Sequence, residues 1–97
     1  MIERSGNRVA VTVPMTIANA RALEGQGGQL AAELAGDELV VDLGAVHEVD
    51  SAALAILFAW QRDLQSRGGR MRLENVPAAV SSLAAMYGVT DLIPAAA

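Results

Sequence analysis

The sequence predicts a small α/β domain, a mixed β-sheet with helices packed mainly on one side, and three observations carry that expectation. Short apolar or alternating runs recur at residues 9–13, 39–43 and 71–74, each of strand length. Segments with apolar residues at helical spacing lie between them, most clearly over residues 52–64. The links are short and rich in Gly, Pro and Asp, as in layered sheets built from alternating strands and helices.

Taken in order, Ile2 to Arg4 fits a short edge strand. Val9, Val11 and Val13 alternate with Ala10 and Thr12 in a second strand that Pro14 stops. Thr16 is placed to cap a helix over residues 17–24. Gly25, Gly27 and Gly28 are expected to interrupt that helix, with Leu30, Ala31 and Leu34 resuming it to about residue 35. Gly36-Asp37 is a turn. Residues 39–43 are almost continuously apolar, the mark of a central strand covered on both faces, and Asp42 sits near its end within reach of water or loop amides. A helix over residues 51–66 stops at Arg67-Gly68-Gly69. Residues 71–74 alternate as a further strand, and Pro77 opens a last helix with Val80, Leu83, Ala84 and Tyr87 on one face, ending at Gly88. Residues 89–93 read as a short turn or edge strand and 94–97 as a flexible tail, so the chain is expected to be one domain over 1–97.

Composition narrows the function. The 97 residues are enough for one modest core, with roughly 60–65% of the unfolded surface buried, and little room for a deep cavity. Seven Arg and no Lys stand against eleven acids, a net charge of −4, and the only aromatics are Phe58, Trp60 and Tyr87. Nucleic acid is therefore not an expected partner, since it calls for basic clusters and stacking rings. The absence of cysteine removes disulfides, thiolate metal sites and thiol catalysis. Residues 1–8 lack the apolar core of a signal peptide, and the longest apolar run, 52–60, falls far short of the roughly 20 residues of a membrane span. A cytoplasmic domain without direct membrane insertion is expected.

The helix over 51–66 divides into two sides. Ala53, Leu54, Ile56, Leu57, Trp60 and Leu64 share the side expected on the sheet, with Phe58 at its margin. Ser51, Ala52, Ala55, Ala59, Arg62, Asp63 and Ser66 share the other. Small residues there have two readings: helix propensity at exposed sites, or close approach by another protein around Ser51, with Arg62, His47 and Glu48 as rim groups. Ser51 likewise has two. Either Asp50 or Ser51 caps the helix, and if Asp50 does, the Ser51 hydroxyl is free to accept a phosphoryl group. That charge would suit the helix start but repel at a contact face beside Asp50.

Other candidate chemistry is weak. His47, the only histidine, shares a short loop with Ser51, and no G-x-S-x-G elbow accompanies them, so a Ser-His-Asp triad is not expected. His47, Glu48 and Asp50 lack further ligands at metal-site spacing. Gly25, Gly27 and Gly28 lack the Lys and preceding strand of a phosphate loop. No enzyme activity, metal or cofactor is expected.

Leu39 to Leu43, the interval to Val49-Asp50-Ser51 and the helix from Ala52 to Leu64 resemble a STAS domain, the family of anti-sigma factor antagonists and transporter regulatory domains. The resemblance covers nearly the whole chain and implies a STAS-like fold. In that family a D-S or D-T pair opens this helix with its hydroxyl at the partner surface, and Asp50-Ser51 match it. The usual continuation is Ser, Gly, Leu; here it is Ala52, Ala53, Leu54. Residues 13–20, 73–77 and 83–89, with Leu92, Ile93 and Pro94, are similar to the small cytoplasmic STAS subunits of Mla phospholipid transporters, also called toluene-tolerance or lipid-asymmetry proteins. This implies a non-catalytic subunit that binds the ATPase of a phospholipid-transporting ABC complex, is peripheral at the inner membrane through that complex, and serves outer-membrane lipid asymmetry. The expected contact is Asp50, Ser51, Ala52, Ala55, Ala59, Arg62 and His47. The alternative implied is an anti-sigma factor antagonist that binds a serine kinase and is switched by phosphorylation of Ser51.

Overall fold

The computed structural model describes residues 1–90. Four strands, β1 (Ile2–Ser5), β2 (Arg8–Val11), β3 (Glu38–Asp42) and β4 (Arg70–Glu74), form one sheet in the order β1-β2-β3-β4. The three helices are α1 (Ile17–Glu33), α2 (Ala52–Ser66) and α3 (Ala78–Met86). β1 and β2 form an antiparallel hairpin, and β2, β3 and β4 run parallel, linked by the α1 and α2 crossovers. The mixed sheet and its helical layer agree with the α/β expectation. Most of the element expected over 89–93, the tail at 94–97, and Leu92, Ile93 and Pro94 lie outside the described residues.

Strand alternation sorts the sheet into two unlike faces. Val9, Val11, Leu39, Val41, Met71 and Leu73 point inward and join Leu54, Ile56, Leu57, Trp60 and Leu64 of α2 in one buried cluster. The opposite face carries Arg8, Glu38, Asp42, Arg72 and Glu74, tied by a ladder of ion pairs. Val40 is buried yet stands outside the core cluster, in register between Arg8 and Arg72. The second cover expected on β3 is thus built of arginine stems rather than a helix, because long cationic side chains can shield apolar surface while their heads stay wet.

The interrupted first helix is a second correction: α1 runs unbroken from Ile17 to Glu33. Its glycines are a packing notch. A Cβ on Gly27 would lie 1.9 Å from Cδ1 and Nε1 of Trp60, so only glycine lets the indole of α2 sit against the α1 backbone. The fully buried Trp60 donates its Nε1–H to the Leu23 carbonyl oxygen at 2.8 Å, which answers the indole's one polar need. The helix tolerates the propensity cost because tertiary packing outweighs it.

The stop expected at Arg67-Gly68-Gly69 is a Schellman motif. Gly68 takes φ +77°, its N–H donates to Gln65 O, and Gly69 N–H donates to Leu64 O. Gly88, at φ +69°, ends α3 in the same way.

Gly25 and Gly27 therefore respond oppositely to substitution. Gly25→Ala meets open space and should stabilise the domain by about 0.5–1 kcal/mol. Gly27→Ala should cost about 1–3 kcal/mol net of helix propensity, since the Trp60 ring must move. Urea denaturation of both variants checks this; equal midpoints would remove the notch.

Candidate functional site

Parallel strands send their C-terminal ends to the same side of the sheet, and the starts of α1 and α2 gather there. Chain pairing continues past the end of β2, where Met15 forms a lone parallel bridge with Val49. Met15 N–H donates to Glu48 O at 3.0 Å, and Asp50 N–H donates to Met15 O at 3.3 Å. This clamp positions the Asp50 side chain between two helix starts.

Each oxygen of that carboxylate serves a different helix. Oδ1 accepts the Ala52 N–H at 2.8 Å at the start of α2, and Oδ2 accepts the Ile17 N–H at 3.1 Å at the start of α1. Both amides are first-turn donors with no partner inside their own helix. Ser51 already has helical angles (φ −59°, ψ −20°), so Asp50 is the functional cap of α2 and Ser51 its first helical residue. Of the two capping options left by the sequence, Asp50 takes the role. Thr16 was the expected cap of α1, but its side chain makes no capping bond and Asp50 supplies the acceptor from across the loop.

Relieved of capping, Ser51 is exposed at the edge of a shallow groove of about 430 Å³ between α1 and α2. Ile17, Ala20 and Glu24 line it from α1, and Asp50, Ser51, Ala52 and Ala55 from the other side. Four of the expected contact residues, Asp50, Ser51, Ala52 and Ala55, therefore come together. Ala59 (half-buried) and Arg62 (exposed) lie further along α2, and exposed His47 lies in the preceding loop; none of the three lines the groove. Ala52, expected on the open side of its helix, is only 9% exposed. The α1 wall of the groove went unread in the sequence. Ile17 is 76% exposed, an apolar residue at a helix start that no local pattern marks. The available signal was topological: helices following parallel strands begin at the same end of the sheet.

A second carboxylate ties the same end of the sheet on its outer face. Asp42 Oδ1 accepts from Asn75 Nδ2 at 3.0 Å and from Gly44 N–H at 2.8 Å, while Oδ2 accepts from Arg8 at 3.3 Å. Asn75 adopts the left-handed conformation, φ +54°, at the end of β4. The loop-amide contact expected of Asp42 is present. Hydrogen bonds from Asn75 first, then Gly44, and the nearby Arg8 cation hold the Asp42 carboxyl below its ordinary value. Among the described residues no group of three or more His, Cys, Asp or Glu side chains could hold a metal ion.

Comparison with known proteins gives a consistent family. A family model described as "Mlab, STAS domain" matches residues 1–94. No curated protein matches the sequence. Among solved structures, an anti-sigma factor antagonist from Mycobacterium paratuberculosis is similar at 26% identity and TM-score 0.76, over 98% of this chain and 81% of that one. A putative anti-sigma factor antagonist from Thermotoga maritima aligns at 14% identity and TM-score 0.77, over 98% and 83%. The Bacillus cell fate determinant SpoIIAA in its phosphorylated form aligns at 12% identity and TM-score 0.71, over 100% and 90%. The last two show likeness of fold.

Two carboxylate variants test the site's framework. Stability to urea should fall in the order wild type, Asp50→Asn, Asp50→Ala, because an amide retains one acceptor oxygen and alanine none. Losing both caps should cost about 1–4 kcal/mol. For Asp42, the lowered pKa means the unfolded chain binds the extra proton. Its contribution is present above the ordinary carboxylate value of about 3.9 and is lost as pH falls through the lower folded value. Asp42→Asn should therefore flatten the acid limb of stability against pH; an unchanged limb would remove the ionised hydrogen bonds.

Proposed function

Because the chain belongs to the STAS family described as "Mlab, STAS domain", we propose that it is a non-catalytic protein-binding module whose docking surface centres on Ser51, acting as an anti-sigma factor antagonist. The observation that carries this reading is the division of labour at the start of α2. Asp50 does the capping, so the Ser51 hydroxyl is free at the edge of a groove between two helices. The 26% identity to an anti-sigma factor antagonist over most of both chains supports the choice of partner class.

A phosphoryl group on Ser51 would add about −1.5 to −2 charges at pH 7. The partial positive charge of the α2 start tolerates it, so the fold is retained. At the contact surface the same charge would stand beside Asp50 and Glu24, where it opposes burial against a partner. Binding is thereby switched while the domain stays folded. The departure from the common family continuation falls on Ala52 and Ala53, which are 9% and 0% exposed. It alters packing under the hydroxyl and leaves the hydroxyl itself accessible.

A second reading has its own support. The family description names Mlab, and the stretches noted in the sequence are similar to STAS subunits of Mla transporters. In that reading the same groove meets the ATPase of a phospholipid-transporting ABC complex, at the cytoplasmic side of the membrane. Among the described residues no helix is long and apolar enough to cross a membrane.

Titration of the full chain against a purified serine-kinase anti-sigma factor and a purified transporter ATPase of the same genome separates the two. The antagonist reading expects binding to the kinase, ATP-dependent addition of one phosphate, and no addition to Ser51→Ala. Ser51→Glu should keep wild-type stability and bind the kinase at least about tenfold more weakly. Binding to the ATPase alone would establish the second reading in its place.

A further inference from the structure

The groove beside Ser51 has a chemical character that the hydroxyl does not explain. Its largest apolar element is Ile17, 76% exposed at the first position of α1, where a β-branched side chain gives the helix no advantage. Ala20, Ala52 and Ala55 extend the apolar lining, so Ile17 forms the lip of a continuous apolar surface. The ionisable groups of the lining are Glu24 and Asp50, both acids. Asp50 is committed to two backbone amides, which leaves Glu24 as the outward charge. Four of the arginines are engaged elsewhere, Arg4 with Glu33 and Arg8, Arg70 and Arg72 along the sheet, and the other three, Arg21, Arg62 and Arg67, neither line the groove nor form an ion pair among the described residues. An apolar strip with one free carboxylate complements a segment that pairs an apolar anchor with a cation.

We propose that Ile17 and Glu24 are specificity determinants, and that the groove receives a segment of the partner protein carrying a large apolar side chain beside a Lys or Arg. The apolar side chain packs on Ile17 and the alanines, while the cation reaches Glu24. This deepens the docking reading of Ser51 and rests on it. Ser51 then lies at one edge of the seated segment, and α1 takes part in recognition as fully as α2. A second copy of this chain is a poorer occupant, because two such grooves would bring Glu24 toward its own like charge.

The test is calorimetric titration of the purified anti-sigma kinase with full-length wild type, Ile17→Ser, Glu24→Lys, Ser51→Glu and, as a control, Met86→Ser, which removes another exposed apolar side chain at the end of α3. Ile17→Ser should bind about tenfold or more weakly. Glu24→Lys should bind several-fold more weakly at low salt and approach wild type as salt rises. Met86→Ser should match wild type. If Ser51→Glu loses binding while Ile17→Ser and Glu24→Lys retain it, the groove is not the anchor and the proposal fails with the docking reading intact. Wild-type affinity for Ser51→Glu as well would bring down both. Tighter binding by Glu24→Lys, or a wild-type dimer in sedimentation that Ile17→Ser dissolves, would overturn the proposal by pointing to an acidic segment or a second copy.

Discussion

One carboxylate sets the end of this molecule where α1 and α2 begin. Asp50 bonds the first amide of α1 with one oxygen and an early amide of α2 with the other, so the starts of two parallel helices are fixed to a common point. Each helix would otherwise begin with unmatched donors. The clamp through Met15 and Val49 makes the arrangement rigid, because the loop that carries Asp50 is itself paired to the chain that leads into α1. The groove has its width because those two starts are held together, and Ser51 has its freedom because its neighbour has taken the structural duty.

Further along the same pair of helices the spacing is set by absence of a side chain. Gly27 admits the Trp60 ring, and the ring's N–H closes on the Leu23 carbonyl oxygen. The helices are thus tied at their starts by a carboxylate and about ten residues on by an indole. Two ties of different chemistry keep α1 and α2 from sliding, which a surface of small residues between them would otherwise permit.

How far the sequence reveals this depends on how local each cause is. The strand β3 and the inward side of α2 follow from period alone: Ala53, Leu54, Ile56, Leu57, Trp60 and Leu64 are all buried as their spacing implies. Asp42 was legible for the same reason, since the turn beyond the strand supplies its amide partner. Gly27 was misread because its reason for being glycine is Trp60, more than thirty residues away. Thr16 was misread as a cap because the better acceptor comes from another loop. Ala52 was assigned to the open side of its helix because the helical wheel knows nothing of α1. Half the groove was therefore visible, the half on α2. The Ile17 wall required knowing that two helix starts meet.

The outer face of the sheet has a consequence for what kind of part this chain can be in an assembly. Arg8, Arg72, Glu38, Asp42 and Glu74 consume one another's charge across three strands, and Val40, the large aliphatic side chain among them, is buried. Such a surface is wet, near-neutral and self-satisfied, with little to gain from being covered. Among the described residues, the paired part of this face offers a second protein little. If docking is at the groove, as proposed, the chain meets its partner through its helical side and leaves this ladder of charges to water.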